Sequence, residues 1–136
     1  MNPDRVRRRR MQFDQYQAGK LHDFRLAFNK RSVKYIGAAS ANVMMRKGAV
    51  TEGVVYRLRH EDEISMMDPY EGFPVRYDRQ LLKIVCPDGP VDAWVYLAQQ
   101  EYIDNSLKPA RWYLDHLLAA SELLSSPYIE QLAAVD

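Results

Sequence analysis

Apolar and polar positions alternate along much of this chain. Phe24, Leu26 and Phe28 are separated by Arg25 and Ala27, which predicts a half-buried strand over residues 19–28. Ala38 to Met44 and Ala49 to Leu58 read as two more strands. Between them lies Met45-Arg46-Lys47-Gly48, whose glycine can take a positive φ, and this predicts a tight hairpin. A clearer hairpin runs from Val75 to Cys86, through the turn Pro87-Asp88-Gly89-Pro90, to the arm Val91 to Ala98. In that arm Trp94 and Tyr96 share one face while Ala93, Val95 and Leu97 share the other. Both faces are apolar enough to be buried, which suits a closed or nearly closed barrel better than a sheet with one wet side.

Helical patterns occupy the remainder. Asn2-Pro3-Asp4 reads as a helix start, with Asn as the cap and Pro at the first helical position. Residues 60–67 predict a short helix with Ile64 and Met67 on one side, stopped by Pro69, which disfavours helical geometry at the residue before it. From Pro109 onward Trp112, Tyr113, Leu117, Leu118 and Leu124 fall at helical spacing, and Tyr128 to Val135 reads as a last short helix. The chain is thus α+β with a strand-rich core.

Size and composition narrow the picture. A chain of 136 residues, 47% of them hydrophobic, can bury one core, so residues 1–136 are expected to form a single domain. No window approaches the roughly 18 to 20 unbroken apolar residues of a membrane span, and no leader pattern is visible, so no membrane partner and a cytoplasmic setting are expected. The lone Cys86 sits in the apolar run Leu81-Leu82-Lys83-Ile84-Val85-Cys86 and is expected to be a buried strand residue rather than a nucleophile.

The net charge of +1 conceals an asymmetry, for residues 1–34 hold ten Lys/Arg against three Asp/Glu. Arg5, Arg7, Arg8, Arg9 and Arg10 supply much of the excess and could neutralise phosphates. No nucleic-acid module accompanies them, so they read instead as the exposed side of the first helix, and nucleic acid is not the expected partner.

His22, His60 and His116 lie far apart without a second metal ligand at useful spacing, so no metal is expected. Phosphate-loop glycines and a nucleophile elbow are also missing from the sequence. Glu71 remains, placed where the helix gives way to a Gly- and Pro-containing loop with Tyr70, Phe73 and Tyr77 nearby. A carboxylate partly desolvated by rings is disfavoured in its charged form, which suits it to acid/base work near neutral pH. The competing reading is a solvated loop glutamate, with Gly72 simply ending the helix.

Ala41-Asn42-Val43, the strand Thr51-Glu52-Gly53-Val54-Val55-Tyr56-Arg57-Leu58, Met67-Asp68-Pro69-Tyr70-Glu71-Gly72, Tyr77, Val95-Tyr96, Pro109 with Tyr113, and Tyr128-Ile129 follow one another in an order and spacing that together are specific. On these residues the chain resembles the γ-glutamylcyclotransferase-like family, which includes plant avirulence-induced-gene-type and butirosin-biosynthesis-type proteins. The resemblance implies a small mixed-strand β-barrel flanked by helices. It also implies a transferase- or lyase-type activity that cleaves γ-glutamyl amines or amino acids by cyclisation to 5-oxoproline, with a small-molecule γ-glutamyl substrate and no cofactor.

By the same resemblance Glu71 matches the family's acid/base glutamate in an acidic-x-x-Glu-Gly motif. Gly72 then falls within the substrate site, and Tyr77, Tyr96 and Tyr113 match its pocket tyrosines, the competing reading for each, weakest for Tyr96, being a packed core ring. Lys108-Pro109-Ala110 stands where many relatives have a Pro-Ser pair, which removes a hydroxyl from the pocket rim. The family's leading Tyr-Gly-Ser-Asn loop has no counterpart in the sequence. The resemblance therefore implies a domain incomplete at its N-terminus, lacking the first strand. Such a chain has an exposed sheet edge through which a homodimer could form, and it misses oxyanion donors worth on the order of a hundredfold to a thousandfold in rate each. The alternatives are a start assigned downstream of the true one, or a non-catalytic module on the same fold that binds a small ligand or a protein.

Overall fold

A computed structural model describes residues 13–32, 37–119 and 121–135. The predicted first helix and its arginines lie outside these residues. Two long antiparallel strands dominate the fold: β1 (Phe13–Arg31) and β2 (Ala38–Leu58), paired from Phe13 opposite Leu58 to Arg31 opposite Ala39. A short helix α1 (Ile64–Glu71) follows a 3-10 turn at Glu61–Glu63, and then come the hairpin strands β3 (Tyr77–Cys86) and β4 (Gly89–Ala98). A two-residue strand β5 (Lys108–Pro109) leads into helices α2 (Arg111–Leu118) and α3 (Ser126–Ala133).

The predicted hairpin at residues 45–48 does not form. Both halves of that segment belong to β2 and pair with β1, the register jumping from His22 opposite Val50 to Phe24 opposite Met45. One β1 residue, Asp23, thus faces four on β2. Asp23 and Gly48 both take positive φ, and Gly48 N–H donates to Asp23 Oδ1 at 2.9 Å. The glycine's freedom is used to bend a strand rather than reverse it, because β1 is long enough to satisfy the backbone of both halves.

A second irregularity lies nearer the end of β1. Ala27 faces Asn42 and Lys30 faces Ser40, so Phe28 and Asn29 together oppose Ala41 alone. Such a two-for-one bulge breaks the alternation of faces. Consecutive Asn29 and Lys30 are both buried, at 3% and 4% exposure.

The sheet runs in the order β4-β3-β1-β2-β5. Its β3–β4 half is the expected hairpin, in register from Tyr77 opposite Ala98 to Cys86 opposite Gly89. Closure into a barrel does not occur. β3 joins β1 through a single pair, Lys20 opposite Val85, and β5 lies parallel on the far edge beside Ala38 and Ala39. The hairpin was expected to be buried on both faces, yet Leu81 and Trp94 remain 56% and 42% exposed. With so little ladder between β1 and β3, the wall stays open along that seam.

Packing divides into three groups. Leu21, Ile84 and buried Cys86 gather Phe24, Val43, Val55, Leu82, Ala93 and Val95 between the two halves of the sheet. Leu124, Tyr128 and Leu132 pack α3 against Leu26 and Phe28 of β1 and Leu117 and Leu118 of α2. Buried Met67 packs α1 onto Phe13, Tyr56, Leu58 and Tyr96. No helix among the described residues is long and apolar enough to cross a membrane.

Ser125 caps α3, its Oγ accepting from Tyr128 N–H at 3.4 Å, with Pro127 in the first turn. Glu52 of β2 holds this cap from the other side. Its Oε1 accepts from Ser125 N–H at 2.8 Å and its Oε2 from Ser125 Oγ–H at 2.6 Å. Charge-assisted hydrogen bonds of this kind contribute about 1.5 to 3 kcal/mol each when buried and less when half-buried. Glu52→Ala is therefore expected to lower the unfolding free energy by about 1 to 2 kcal/mol in urea titration, and an unchanged midpoint would mean that apolar packing alone seats α3.

Candidate functional site

The end of α1 is where Glu71 is placed, and the helix runs two residues past the stop predicted at Pro69. Pro69 sits inside it. Asp68, the residue a following proline would push out of helical geometry, is held from β4 and β3. Tyr96 Oη donates to Asp68 Oδ1 at 2.6 Å, and Arg79 Nε forms an ion pair with the same oxygen at 3.3 Å. The Arg79 guanidinium lies over the Trp94 ring at 4.5 Å and the Phe73 ring at 4.9 Å, so its charge is used by one carboxylate and two π faces.

The helix then ends in a Schellman motif. Gly72 has φ +71°, its N–H reaches Pro69 O at 3.3 Å, and Phe73 N–H reaches Asp68 O at 3.0 Å. A Cβ on Gly72 would land on the Arg76 side chain. Gly72 thus fixes where Glu71 sits but is not itself on the wall of the adjoining cleft.

That cleft, about 2030 Å³, is open to solvent and includes Lys30, Glu71, Arg76, Tyr77, Tyr96 and Tyr113 in its lining. Four of the five site residues expected from the sequence, Glu71, Tyr77, Tyr96 and Tyr113, are therefore brought to one surface from α1, β3, β4 and α2. Glu71 is half-buried there. Of the rings that the sequence suggested beside it, Tyr77 feels its charge. Tyr70 is mostly exposed, and Phe73 is turned to Arg79. Tyr77 and Tyr96, which both feel the Glu71 charge, pack edge to face at 6.3 Å between centroids.

The tyrosine hydroxyls have distinct duties. Tyr77 Oη donates to Ala41 O at 2.7 Å, while Ala41 N–H donates to Tyr113 Oη at 3.0 Å. Ala41 is the residue opposite the Phe28-Asn29 bulge and has no place in the β1–β2 register. Its two backbone groups, which burial would otherwise leave costly, are satisfied by the two tyrosines. Tyr96 instead serves Asp68. Burial, then the nearby Glu71 carboxylate, pushes the Tyr77 hydroxyl above the ordinary tyrosine range. Burial, then the hydrogen bond to Asp68, does the same for Tyr96, with the Glu71 charge adding to it. Both stay protonated donors at neutral pH.

Lys30 was not singled out in the sequence, where it is one more cation in a basic segment. Its Nζ stands over the Tyr77 ring at 5.2 Å and the Tyr102 ring at 5.8 Å. Burial, then the Arg76 charge, lowers its pKa from the usual lysine range, and Glu71 opposes the shift. Glu71 is thus the common electrostatic neighbour of Lys30, Tyr77 and Tyr96. Asn42 was also without a role in the sequence. Its Nδ2 donates to Asn29 Oδ1 at 3.2 Å and its Oδ1 accepts from Ala98 N–H at 2.9 Å, tying β4 to the bulge. Among the described residues no group of three His, Cys, Asp or Glu could hold a metal ion.

The sheet is open and mixed with flanking helices, Glu71, Tyr77, Tyr96 and Tyr113 are among the residues lining its cleft, and comparison with known proteins gives the family. Residues 2–114 match the family described as gamma-glutamyl cyclotransferase, AIG2-like, and the chain belongs to it. No curated protein matches it by sequence. Among solved structures it is similar to uncharacterized protein loc79017 from Homo sapiens and to a structure described as gamma-glutamyl cyclotransferase. Each has a TM-score of 0.84 at 21% identity, over 99% of this chain and 82% of the other. YkqA from Bacillus subtilis is similar at a TM-score of 0.75 and 20% identity, over 89% of this chain and 44% of its own. These likenesses concern the fold.

The Asp68 clasp can be tested directly. Asp68→Ala removes the acceptor of Tyr96 and the counter-charge of Arg79, and is expected to cost about 2 kcal/mol. It should also lower the pKa of Tyr96, because the carboxylate that disfavours the phenolate is gone. Denaturant unfolding and ultraviolet titration of the phenolate read the two effects, and an unmoved tyrosine titration would show that burial alone sets it.

Proposed function

We propose that this chain is a γ-glutamylcyclotransferase-type enzyme whose acid/base residue is Glu71. The observation that carries the reading is the position of Glu71: half-buried on a cleft wall, at a helix end fixed by Gly72 and Asp68, with Tyr77, Tyr96 and Lys30 around it. In this mechanism Glu71 takes a proton from the substrate α-ammonium. The amine then attacks its own γ-carbonyl, forming the ring C–N bond of 5-oxoproline. As the original C–N bond breaks, Glu71 returns the proton to the departing nitrogen. The attacking nitrogen gives up its second proton as the ring closes and the amine leaves as an ammonium, so atoms and charge balance without a cofactor. Folding the glutamyl chain so that amine and carbonyl lie about 3 to 3.5 Å apart supplies much of the rate through orientation.

The substrate in this reading is a γ-glutamyl amine or amino acid, and the setting is cytoplasmic. A homodimer through the open sheet edge belongs to the same reading, and a monomer mass at all concentrations in sedimentation would exclude it. The second reading, a non-catalytic small-ligand module, draws on the tyrosines. The Tyr77 and Tyr113 hydroxyls are engaged by the Ala41 backbone and serve the scaffold first. It predicts binding of γ-glutamyl compounds without turnover.

Release of 5-oxoproline from a set of γ-glutamyl amines and amino acids, followed by chromatography, separates the two. General acid/base groups contribute about 10²- to 10⁴-fold, so Glu71→Gln is expected to lower the rate at least a hundredfold while unfolding at the parent midpoint. Equal rates in both proteins would remove Glu71 from the mechanism.

A further inference from the structure

Among the described residues Lys30 is the most deeply buried charged group, and it opens onto the cleft. Strand alternation alone does not put it there. Asn29 points into the interior, where its side chain binds Met44 Sδ and Asn105 Oδ1, each at 2.9 Å, and a regular strand would send the next residue to the opposite face. The extra residue of the Phe28-Asn29 bulge cancels that alternation and re-aims Lys30 inward.

The surroundings hold it in place. Lys30 forms an isolated bridge with Ile103, and Asp104 N–H donates to Asn29 O at 2.7 Å, so the 99–107 segment closes over it and brings the Tyr102 ring to its ammonium. Tyr77 covers the other side. Among the described residues no carboxylate lies within ion-pair distance of its Nζ. A buried ammonium resting only on π faces is poorly compensated. The charge of Arg76 acts on Lys30 against that of Glu71. A ligand carboxylate would supply the counter-charge that Lys30 lacks at ion-pair distance among the described residues.

From this placement we propose that Lys30 is the carboxylate-binding residue of the cleft, gripping a carboxylate of the γ-glutamyl substrate and holding it in register with Glu71. The inference rests on the glutamyl reading and sharpens it, since it makes a carboxylate rather than the amide alone a requirement for binding. That carboxylate has two sources, the α-carboxylate of the glutamyl group or one on the leaving amino acid.

Calorimetric titration of the full chain carrying Glu71→Gln, in which no ligand is consumed, tests the proposal with three compounds. γ-Glutamylglycine carries both carboxylates, γ-glutamylmethylamide only the α-carboxylate, and the α-carboxamide of γ-glutamylglycine only the leaving-side one. Lys30→Met added to this chain is expected to weaken γ-glutamylglycine by about 10- to 100-fold, the range of one charge-assisted hydrogen bond. An equal loss for the methylamide identifies the α-carboxylate, and an equal loss for the α-carboxamide identifies the leaving side. Lys30→Arg, which keeps the charge, should retain part of the affinity.

The proposal is overturned if Lys30→Met binds all three compounds as tightly as its parent. A shifted pH–rate profile in the Glu71 chain alongside that result would make Lys30 a positioning residue for Glu71 instead. Tight, Lys30-dependent binding without any 5-oxoproline from the Glu71 chain would end the catalytic reading and leave the carboxylate site standing. Turnover by the Glu71 chain that is indifferent to Lys30→Met would do the reverse.

Discussion

A strand that sets two residues opposite one must find other partners for the backbone it leaves behind, and here that necessity organises the cleft. The Phe28-Asn29 bulge strands Ala41 within an otherwise long ladder. Hydroxyls from Tyr77 on β3 and Tyr113 on α2 answer its carbonyl and amide. Two elements distant in the chain are thereby fastened to one peptide of β2, and the Tyr77 ring comes within the field of Glu71. The same extra residue turns Lys30 inward. Removing the bulge would cost both tyrosine anchors and the inward cation at once, which is why such irregularities behave as built features rather than faults.

Around that point the structure trades closure for access. Strands of 19 and 21 residues are far longer than the usual five or six, and they stay paired because three register shifts, at Asp14, at Asp23 and at the Phe28-Asn29 bulge, let them bend. The β3–β4 hairpin meets them at one residue pair and is otherwise tied by side chains, chiefly Asn42 to Ala98 and Tyr77 to Ala41. A wall joined by side-chain hydrogen bonds leaves room for a cleft between the joints. A continuous backbone ladder would have sealed it.

What could be read from the sequence follows the range of the interactions involved. The β3–β4 hairpin and helices α2 and α3 rest on local signals, a Pro-Asp-Gly turn and apolar spacing, and they stand close to where these put them. The false hairpin at Gly48 had an equally good local signal. It failed because β1, tens of residues earlier, competes for the same backbone groups. Pro69 was read as a stop for a similar reason. Its local penalty is real, but Asp68 is held by Tyr96 and Arg79, which sequence distance conceals. Glu71 and the tyrosines could be named through the family resemblance, whereas Lys30 could not, since a bulge has no periodic signature.

Charge supplies the remaining constraint on how the cleft can work. Tyr77 and Tyr96 are both driven away from ionisation, in each case partly by the Glu71 charge, so both remain neutral donors beside it. Burial weakens the hold of Lys30 on its proton, and Glu71 strengthens it. Protonation of Glu71 would therefore loosen the proton on Lys30 and relieve both phenols together. A bound carboxylate beside Lys30 would act the other way on that lysine, keeping it charged while Glu71 gains a proton. The groups around Glu71 thus form one coupled set, in which ligand charge and the protonation of the acid/base residue cannot change independently.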